Sequence, residues 1–233
     1  MEIFFNRLAT VADMVIPGAA VADIGADHAQ LSIYLIQQLI APRVIIGELG
    51  DGPYTRARQA VESSGHKDLI ELRQGSGLQV LQCGEVDTVV LAGMGGDTIV
   101  EILADDWDKA ASFRSFVFQP MSKAEVLRRR LASRGWTITE ERLVYENRRI
   151  FLALSSRPGH SPYHLTALEF ELGPAILKAD NEIKRRYLGA SANKYRRVEQ
   201  QLRQSIHPKQ QLEAQEYQEK IRRLEEILSA SQS

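Results

Sequence analysis

The chain has 233 residues, 44% of them hydrophobic and 25% charged, enough apolar content for a true core. That excludes a disordered or collagen-like chain and allows one domain with an appendage or two small domains. The net charge of −1 hides an asymmetry: residues 1–173 carry 17 Lys+Arg against 22 Asp+Glu, and residues 174–233 carry 12 against 8.

In chain order, Asn6 to Val15 spaces Leu8, Val11, Ala12 and Val15 for one buried helix face. Ala20 to Ile24 is an apolar run closed by Gly25, a buried strand. Gln30 to Ile40 is helical by composition, and Pro42 stops it. Val44 to Leu49 is the second strand, and Pro53 sits in the first turn of a helix running to Ser64. Leu69 to Gln74 and Thr88 to Ala92 read as strands. Asp97 to Leu103 is a helix, Phe116 to Gln119 a strand and Ser122 to Arg134 a basic amphipathic helix. Trp136 to Tyr145 and Arg149 to Leu154 alternate as strands, joined by too few residues for a crossover, and so must be antiparallel. The predicted architecture is α/β, a doubly wound parallel sheet finished by an antiparallel strand.

Ser155 to Pro162, with two prolines, a glycine and several serines, reads as a linker, which places domains at 1–160 and 161–233. Thr166 caps a short helix ending at Gly173, and Pro174 opens a long helical stretch. Tyr195, Val198, Leu202 and Ile206 recur at helical spacing, as do Tyr217, Ile221, Leu224 and Leu228. With His207-Pro208 between them, these predict two antiparallel helices packed as a coiled-coil hairpin, and the small residues from Gly189 to Asn193 are a candidate break.

The chemistry is concentrated in Asp23-Ile24-Gly25-Ala26-Asp27-His28. A strand that turns into a helix through glycine is a nucleotide-binding turn in many α/β folds. A dinucleotide wants further glycines, so that main-chain N–H groups cradle its pyrophosphate. Here those glycines are missing and two carboxylates crowd the turn. They repel a pyrophosphate and attract a sulfonium and an α-amino group, so S-adenosylmethionine (SAM) is favoured over NAD. Glu48, ending the second strand, can accept from ribose hydroxyls, as an acid does in NAD enzymes as well. Gly75-Ser76-Gly77-Leu78 follows the third strand, where main chain and a small polar side chain can hold adenine.

The runs ADIGADHAQL, GELGDGP at 47–53, RQGSGL at 73–78, LAGMGG at 91–96 and QP at 119–120, with Arg7-Leu8 and the helical tail, closely resemble the TrmK family. These are bacterial SAM-dependent methyltransferases acting on N1 of the adenine at tRNA position 22. The resemblance implies a Rossmann-like class I methyltransferase domain followed by a C-terminal helical coiled-coil domain. It places Asp23, Gly25, Asp27 and His28, with Ala26, at the methionine end of SAM. Glu48 and Leu49 fall at the ribose, and Gly75, Ser76, Gly77 and Leu78 at the adenine. Ala92, Gly93 and Met94 complete the cofactor set. The family usually has Asp where this chain has Ser76, a weaker acceptor for the adenine amino group.

The Gly93-Met94-Gly95-Gly96 loop has no side-chain carboxylate or amide before Asp97, which suits a ring nitrogen that needs positioning more than activation. The catalytic candidates are Gln119, as a hydrogen-bonding partner of the target base, and Asp27, acting on the sulfonium field. A plain strand end is the alternative for Gln119-Pro120. Arg7, Gly95, Gly96, Gln119 and Pro120 are expected at the substrate. Lys184, Arg185, Arg186, Lys194, Arg196 and Arg197 form a basic module for tRNA phosphates, against the alternative of a solvated helix face.

Other features are expected to carry no chemistry. Cys83 reads as a buried or half-buried small residue, Arg128-Arg129-Arg130 as a solvated face and Asp105 to Asp108 as an acidic turn. No Cys/His spacing spells a metal site. No apolar run approaches the ~18 residues of a membrane span, and Met1-Glu2-Ile3 lacks the features of a signal peptide. A cytoplasmic monomer is the expectation. A methyltransferase for another RNA or a small molecule, an NAD oxidoreductase and a non-catalytic SAM-binding RNA-binding protein remain as alternatives.

Overall fold

The computed structural model describes residues 6–230; Met1-Glu2-Ile3, read above for a leader, lie outside the described residues. The chain divides into two compact units, Met1–Leu165 and Thr166–Ser233.

The first unit is a seven-stranded sheet of order β3-β2-β1-β4-β5-β7-β6. The strands are β1 Val21–Ile24, β2 Val44–Glu48, β3 Ile70–Gln74, β4 Thr88–Gly95, β5 Ser115–Ser122, β6 Thr137–Glu146 and β7 Arg149–Arg157. β1 to β5 pair in parallel, and β7 runs antiparallel to both β5 and β6. The two-residue turn Asn147-Arg148, both with positive φ, joins the last pair. The linker therefore starts later than the serines suggest, since Ser155 and Ser156 pair with β5 and β6 inside β7.

Helices α1 Asn6–Ala12, α2 Gln30–Gln37 and α3 Asp51–Ser64 cover one face. Val11, Ala12, Leu31, Leu35, Ala57 and Val61 pack there against Val21, Val44, Ile46, Val90 and Val117. α2 stops before Pro42 because Leu39 turns left-handed (φ 55°) and the N–H groups of Ile40 and Ala41 return to the Leu35 carbonyl. The remaining helices of this unit are α4 Gly96–Ala104, the short α5 Trp107–Ala111 and α6 Ala124–Ser133, together with the 3-10 helix Gly77–Val80. Right-handed crossovers put helices on opposite faces wherever the strand order reverses.

Three expectations are corrected in this unit. Asp106 is a helix cap whose carboxylate accepts from the Lys109 N–H at 2.9 Å, so the acidic turn opens α5. Arg128 is fully buried, with Nε 2.7 Å from Glu141 on β6, because it shares the inward face of α6 with Leu127 and Leu131. Cys83 is exposed, in the loop after the 3-10 helix.

The second unit is helical: α7 Ala167–Leu172, α8 Pro174–Lys178, α9 Glu182–Arg203 and α10 Pro208–Ala230. Thr166 and Glu169 form a reciprocal capping box at the start of α7. The helical stretch from Pro174 breaks at extended Ala179, and Asn181 caps α9 by accepting from the Lys184 N–H at 2.8 Å. The small residues 189–193 do not break α9, because Ala192 is needed small and buried beside Leu188 and Tyr195. α9 and α10 are antiparallel, and Leu188, Ala192 and Tyr195 meet Tyr217, Ile221 and Leu224. Ile206, expected in that seam, lies beyond α9 and is 88% exposed.

Candidate active site

After β1 the chain builds β2 and β3 on one side, then returns to lay β4 on the other. The connections above the carboxyl ends of β1 and β4 leave in opposite directions, which opens a crevice at that switch point.

The turn out of β1 depends on its glycine. Gly25 has φ 79°, its N–H donates to Gly47 at 2.8 Å, and a Cβ there would come within 2.9 Å of Met94 Cε. Met94 from β4 therefore closes over the β1 turn. Beneath it Asp23 is 4% exposed and accepts a 2.8 Å hydrogen bond from Ser32 Oγ on α2. Burial, reinforced by the charge of Glu48 and opposed by the Ser32 hydrogen bond, raises its pKa from 3.8 to about 6. Ser32 holds this buried carboxylate through its hydroxyl and its main chain, and among the described residues no cation is paired with it.

Asp27, farther along the turn, has found a cation. Arg56 Nε on α3 lies 2.6 Å from Asp27 Oδ1, and this hydrogen bond holds the carboxyl below its usual range. His28 Nε2 is 3.6 Å from Asp27 Oδ2. Glu48 ends β2 and accepts from the Leu49 N–H at 3.1 Å, and Leu49 is exposed. Asp23, Asp27 and Glu48 thus gather at the ends of two adjacent strands. Arg56 was not singled out in the sequence: nothing in the α3 pattern distinguishes it from Arg58, which turns toward Glu62.

The 75–80 segment is braced from both ends. The Gly75 N–H donates to the Glu48 carbonyl at 3.0 Å, and Leu78 is buried. Val80 fills the space that a Cβ on Gly47 or Gly75 would need, at 2.7 and 2.8 Å. Ser76 precedes the 3-10 helix in extended conformation. Its far end is tied down by Arg73, another residue the sequence did not single out. Arg73 Nη1 donates to the Val80 carbonyl at 2.8 Å, and the same guanidinium grips Glu85 at 2.8 and 2.7 Å.

The glycine loop after β4 is partly strand. β4 continues through Ala92, Gly93 and Met94 to Gly95 with register irregularities, Gly93 has φ 79°, and Met94 pairs with Pro120. A Cβ on Gly96 would fall 2.2 Å from the Lys123 carbonyl, so only glycine lets α4 start against that backbone. Lys123 itself pairs with Asp97.

Gln119 does not offer its amide to an open face. It is 2% exposed, with Nε2 3.4 Å from the Pro120 carbonyl and 3.5 Å from Met121 Sδ, because this part of β5 is buried between β4 and β7. The neighbouring open positions are Met121, which is exposed, and Arg7, whose guanidinium lies 3.7 Å from Met121 Sδ and 5.0 Å from the Phe151 ring centroid.

The six basic residues expected at tRNA phosphates separate into three groups. Lys184 is turned inward: its Nζ donates to the Ala179 carbonyl at 2.5 Å, and the side chain is buried because it closes the α8–α9 junction. Its expected phosphate contact is corrected on that ground. Arg185, Arg186 and Arg196 meet Asp180, Glu182 and Glu225 at 3.4, 2.7 and 2.6 Å. Lys194 and Arg197 are exposed and make no ion pair among the described residues. Also among the described residues, no group of His, Cys, Asp or Glu is placed to hold a metal ion, and no helix is long and apolar enough to cross a membrane.

Comparison with known proteins places this geometry. The family described as "Methyltransferase domain" matches residues 4–154. The chain is 34% identical over 182 residues to a Bacillus subtilis protein named tRNA (adenine(22)-N(1))-methyltransferase, covering 76% of each. The crystal structure of the B. subtilis M1A22 tRNA methyltransferase TrmK superposes with a TM-score of 0.86 at 28% identity, covering 97% of this chain and 98% of that one. A Streptococcus pneumoniae protein solved in complex with S-adenosyl-L-methionine superposes with a TM-score of 0.83 at 29% identity, covering 95% and 98%. The acid-lined switch-point crevice, the sheet that carries it and these likenesses agree: the chain belongs to the methyltransferase-domain family and, within it, to the tRNA (adenine(22)-N1)-methyltransferases.

Proposed function

We propose that this protein transfers a methyl group from SAM to N1 of adenine 22 in tRNA. The observation that carries the reading is the set of three carboxylates, Asp23, Asp27 and Glu48, at the switch point, the buried Asp23 having no cation paired with it among the described residues. Such a site suits a nucleoside bearing a sulfonium and an α-amino group, and it repels a pyrophosphate. SAM supplies an electrophilic methyl group on sulfur. The protein's own work is then to hold, orient and exclude water. Asp23, Gly25, Ala26, Asp27 and His28 receive the methionine end. Glu48 and Leu49 receive the ribose, and Gly75 to Leu78 receive the adenine, stiffened by Val80 and Arg73. Ala92, Gly93 and Met94 wall the crevice beside the methyl group, and Gly95 and Arg7 border the target base; Gly96 and Pro120, expected there too, are buried like Gln119 and only shape the backbone behind it. N1 attacks with its own lone pair as sulfur keeps the bonding pair, so alignment is the main demand.

The helical unit completes the reading. Lys194 and Arg197, supported by Arg185, Arg186 and Arg196 at the edges of their ion pairs, face tRNA phosphates, and α9 and α10 act as a coiled-coil hairpin. Division of labour at about residue 160 and action as a cytoplasmic monomer belong to the same proposal. The test is incubation with transcribed tRNA and methyl-labelled SAM, followed by mapping of the modified nucleotide. N1-methyladenosine at position 22 is expected. A methyl group elsewhere overturns the substrate assignment, and absence of SAM binding by titration calorimetry overturns the cofactor assignment.

A further inference from the structure

The Arg56 guanidinium answers two of the three crevice carboxylates, Asp27 and Glu48, and its placement is specific. Arg56 is on the first half of α3, yet its side chain runs back along the first turn, where Nη1 would sit 3.5 Å from a Cβ on Gly52. From there it crosses to the β1–α2 turn and meets Asp27 at 2.6 Å. Glu48, at the end of β2, also acts on it electrostatically, so Arg56 answers one acid in the turn after β1 and one at the end of β2. Arg58, two positions on, lies 4.0 Å from Glu62 on its own helix and takes no part. Both members of the Arg56–Asp27 pair are partly exposed, so the guanidinium can move aside without stranding a buried charge.

The two forms of the cofactor differ by one unit of charge. SAM carries a sulfonium, an α-amino group and a carboxylate, for a net +1; its demethylated product, S-adenosylhomocysteine (SAH), is a thioether with net zero. Acids that face the crevice therefore favour SAM over SAH, and a cation resident among them weakens that preference. We propose that Arg56 is a specificity-determining residue for this exchange: it is the resident counter-ion of Asp27 and Glu48, and its charge sets how strongly the crevice prefers the sulfonium to the thioether. This rests on the SAM assignment and deepens it.

A unit charge several ångströms away at a half-exposed site shifts an ionic equilibrium by roughly two- to tenfold. The experiment is calorimetric titration of wild type, Arg56→Gln and Arg56→Lys with SAM and, separately, with SAH, in low and high salt. Arg56→Gln should raise the ratio of the SAH Kd to the SAM Kd by roughly two- to tenfold, less so in high salt. Arg56→Lys, which restores a cation, should return the ratio toward wild type. An unchanged ratio in Arg56→Gln, with both ligands still bound, refutes the charge role alone. An equal loss of both ligands in Arg56→Gln and Arg56→Lys refutes it as well, since Arg56 would then be only a prop for the turn. A wild-type protein that binds neither ligand defeats the cofactor assignment and this inference with it.

Discussion

Replacing Asp23 by Asn should separate what the crevice needs from what the fold prefers. Burial raises the Asp23 pKa from 3.8 to about 6. At ~1.4 kcal/mol per pK unit, the ionised carboxylate costs the unliganded fold about 3 kcal/mol. The sign follows from linkage: the folded state binds the Asp23 proton more tightly than the unfolded chain does. The cost is therefore complete above the folded value, fades as pH falls through it and vanishes below the unfolded value. Asn keeps an acceptor for Ser32 Oγ and carries no charge, so its contribution does not change with pH. The stability of wild type relative to Asp23→Asn should improve by roughly 1.4 kcal/mol between about pH 7.5 and pH 5, and by about 3 kcal/mol once protonation is complete. Urea unfolding of both proteins across that range measures the difference, in which the other carboxylates cancel. SAM affinity should move the opposite way: Asp23→Asn binds SAM more weakly at neutral pH, and wild type loses about tenfold near pH 5, where most Asp23 is protonated. A difference in stability that is flat with pH would mean that Asp23 ionises without penalty, and the argument from its buried charge would fail.

Other perturbations test the remaining parts of the site and its support. Ser76→Asp should tighten SAM by about 1–2 kcal/mol by giving the adenine amino group a charged acceptor; calorimetry showing weaker binding would mean that Ser76 does not face the adenine. Arg73→Ala should release the end of the 75–80 segment and raise the SAM Kd by about tenfold, with faster amide exchange at Gly77 to Val80; unchanged exchange would show that Glu85 and Val80 do not depend on the guanidinium. Glu141→Ala should cost about 3–5 kcal/mol in urea unfolding, because it removes a carboxylate paired with the fully buried Arg128 charge; a loss under ~1 kcal/mol would mean that water reaches the pair. In the helical unit, Lys194→Glu with Arg197→Glu should weaken tRNA binding and flatten its salt dependence, the log–log slope falling by about 0.7–0.9 for each phosphate no longer neutralised. SAM affinity should be unaffected. Equal salt slopes in wild type and the double variant would leave these side chains as a solvated face. Arg196 is a poor choice for that test, since Glu there would oppose Glu225 and loosen the helix pair.

The order of strands and helices was legible in the chain because both elements write a short period into it, and the period survives without tertiary context. The antiparallel finish was legible for a geometric reason: the connection at Asn147-Arg148 is too short to cross a sheet. The ligand class was legible in the turn itself, where acids stand beside Gly25 and further glycines are absent. What the chain did not disclose is where its long charged side chains end. Arg128 belongs to a run of three arginines and is the one that goes inside, because Glu141 waits on a strand thirteen residues away. Arg56 reaches Asp27 across 29 residues, Lys184 folds onto the carbonyl of Ala179, and Gln119 is buried by the strands on either side of it. A helical or strand period fixes the direction in which a side chain leaves the backbone. With several rotatable bonds, its charged end then settles wherever a partner offsets the cost of leaving water, and that partner is supplied by the fold.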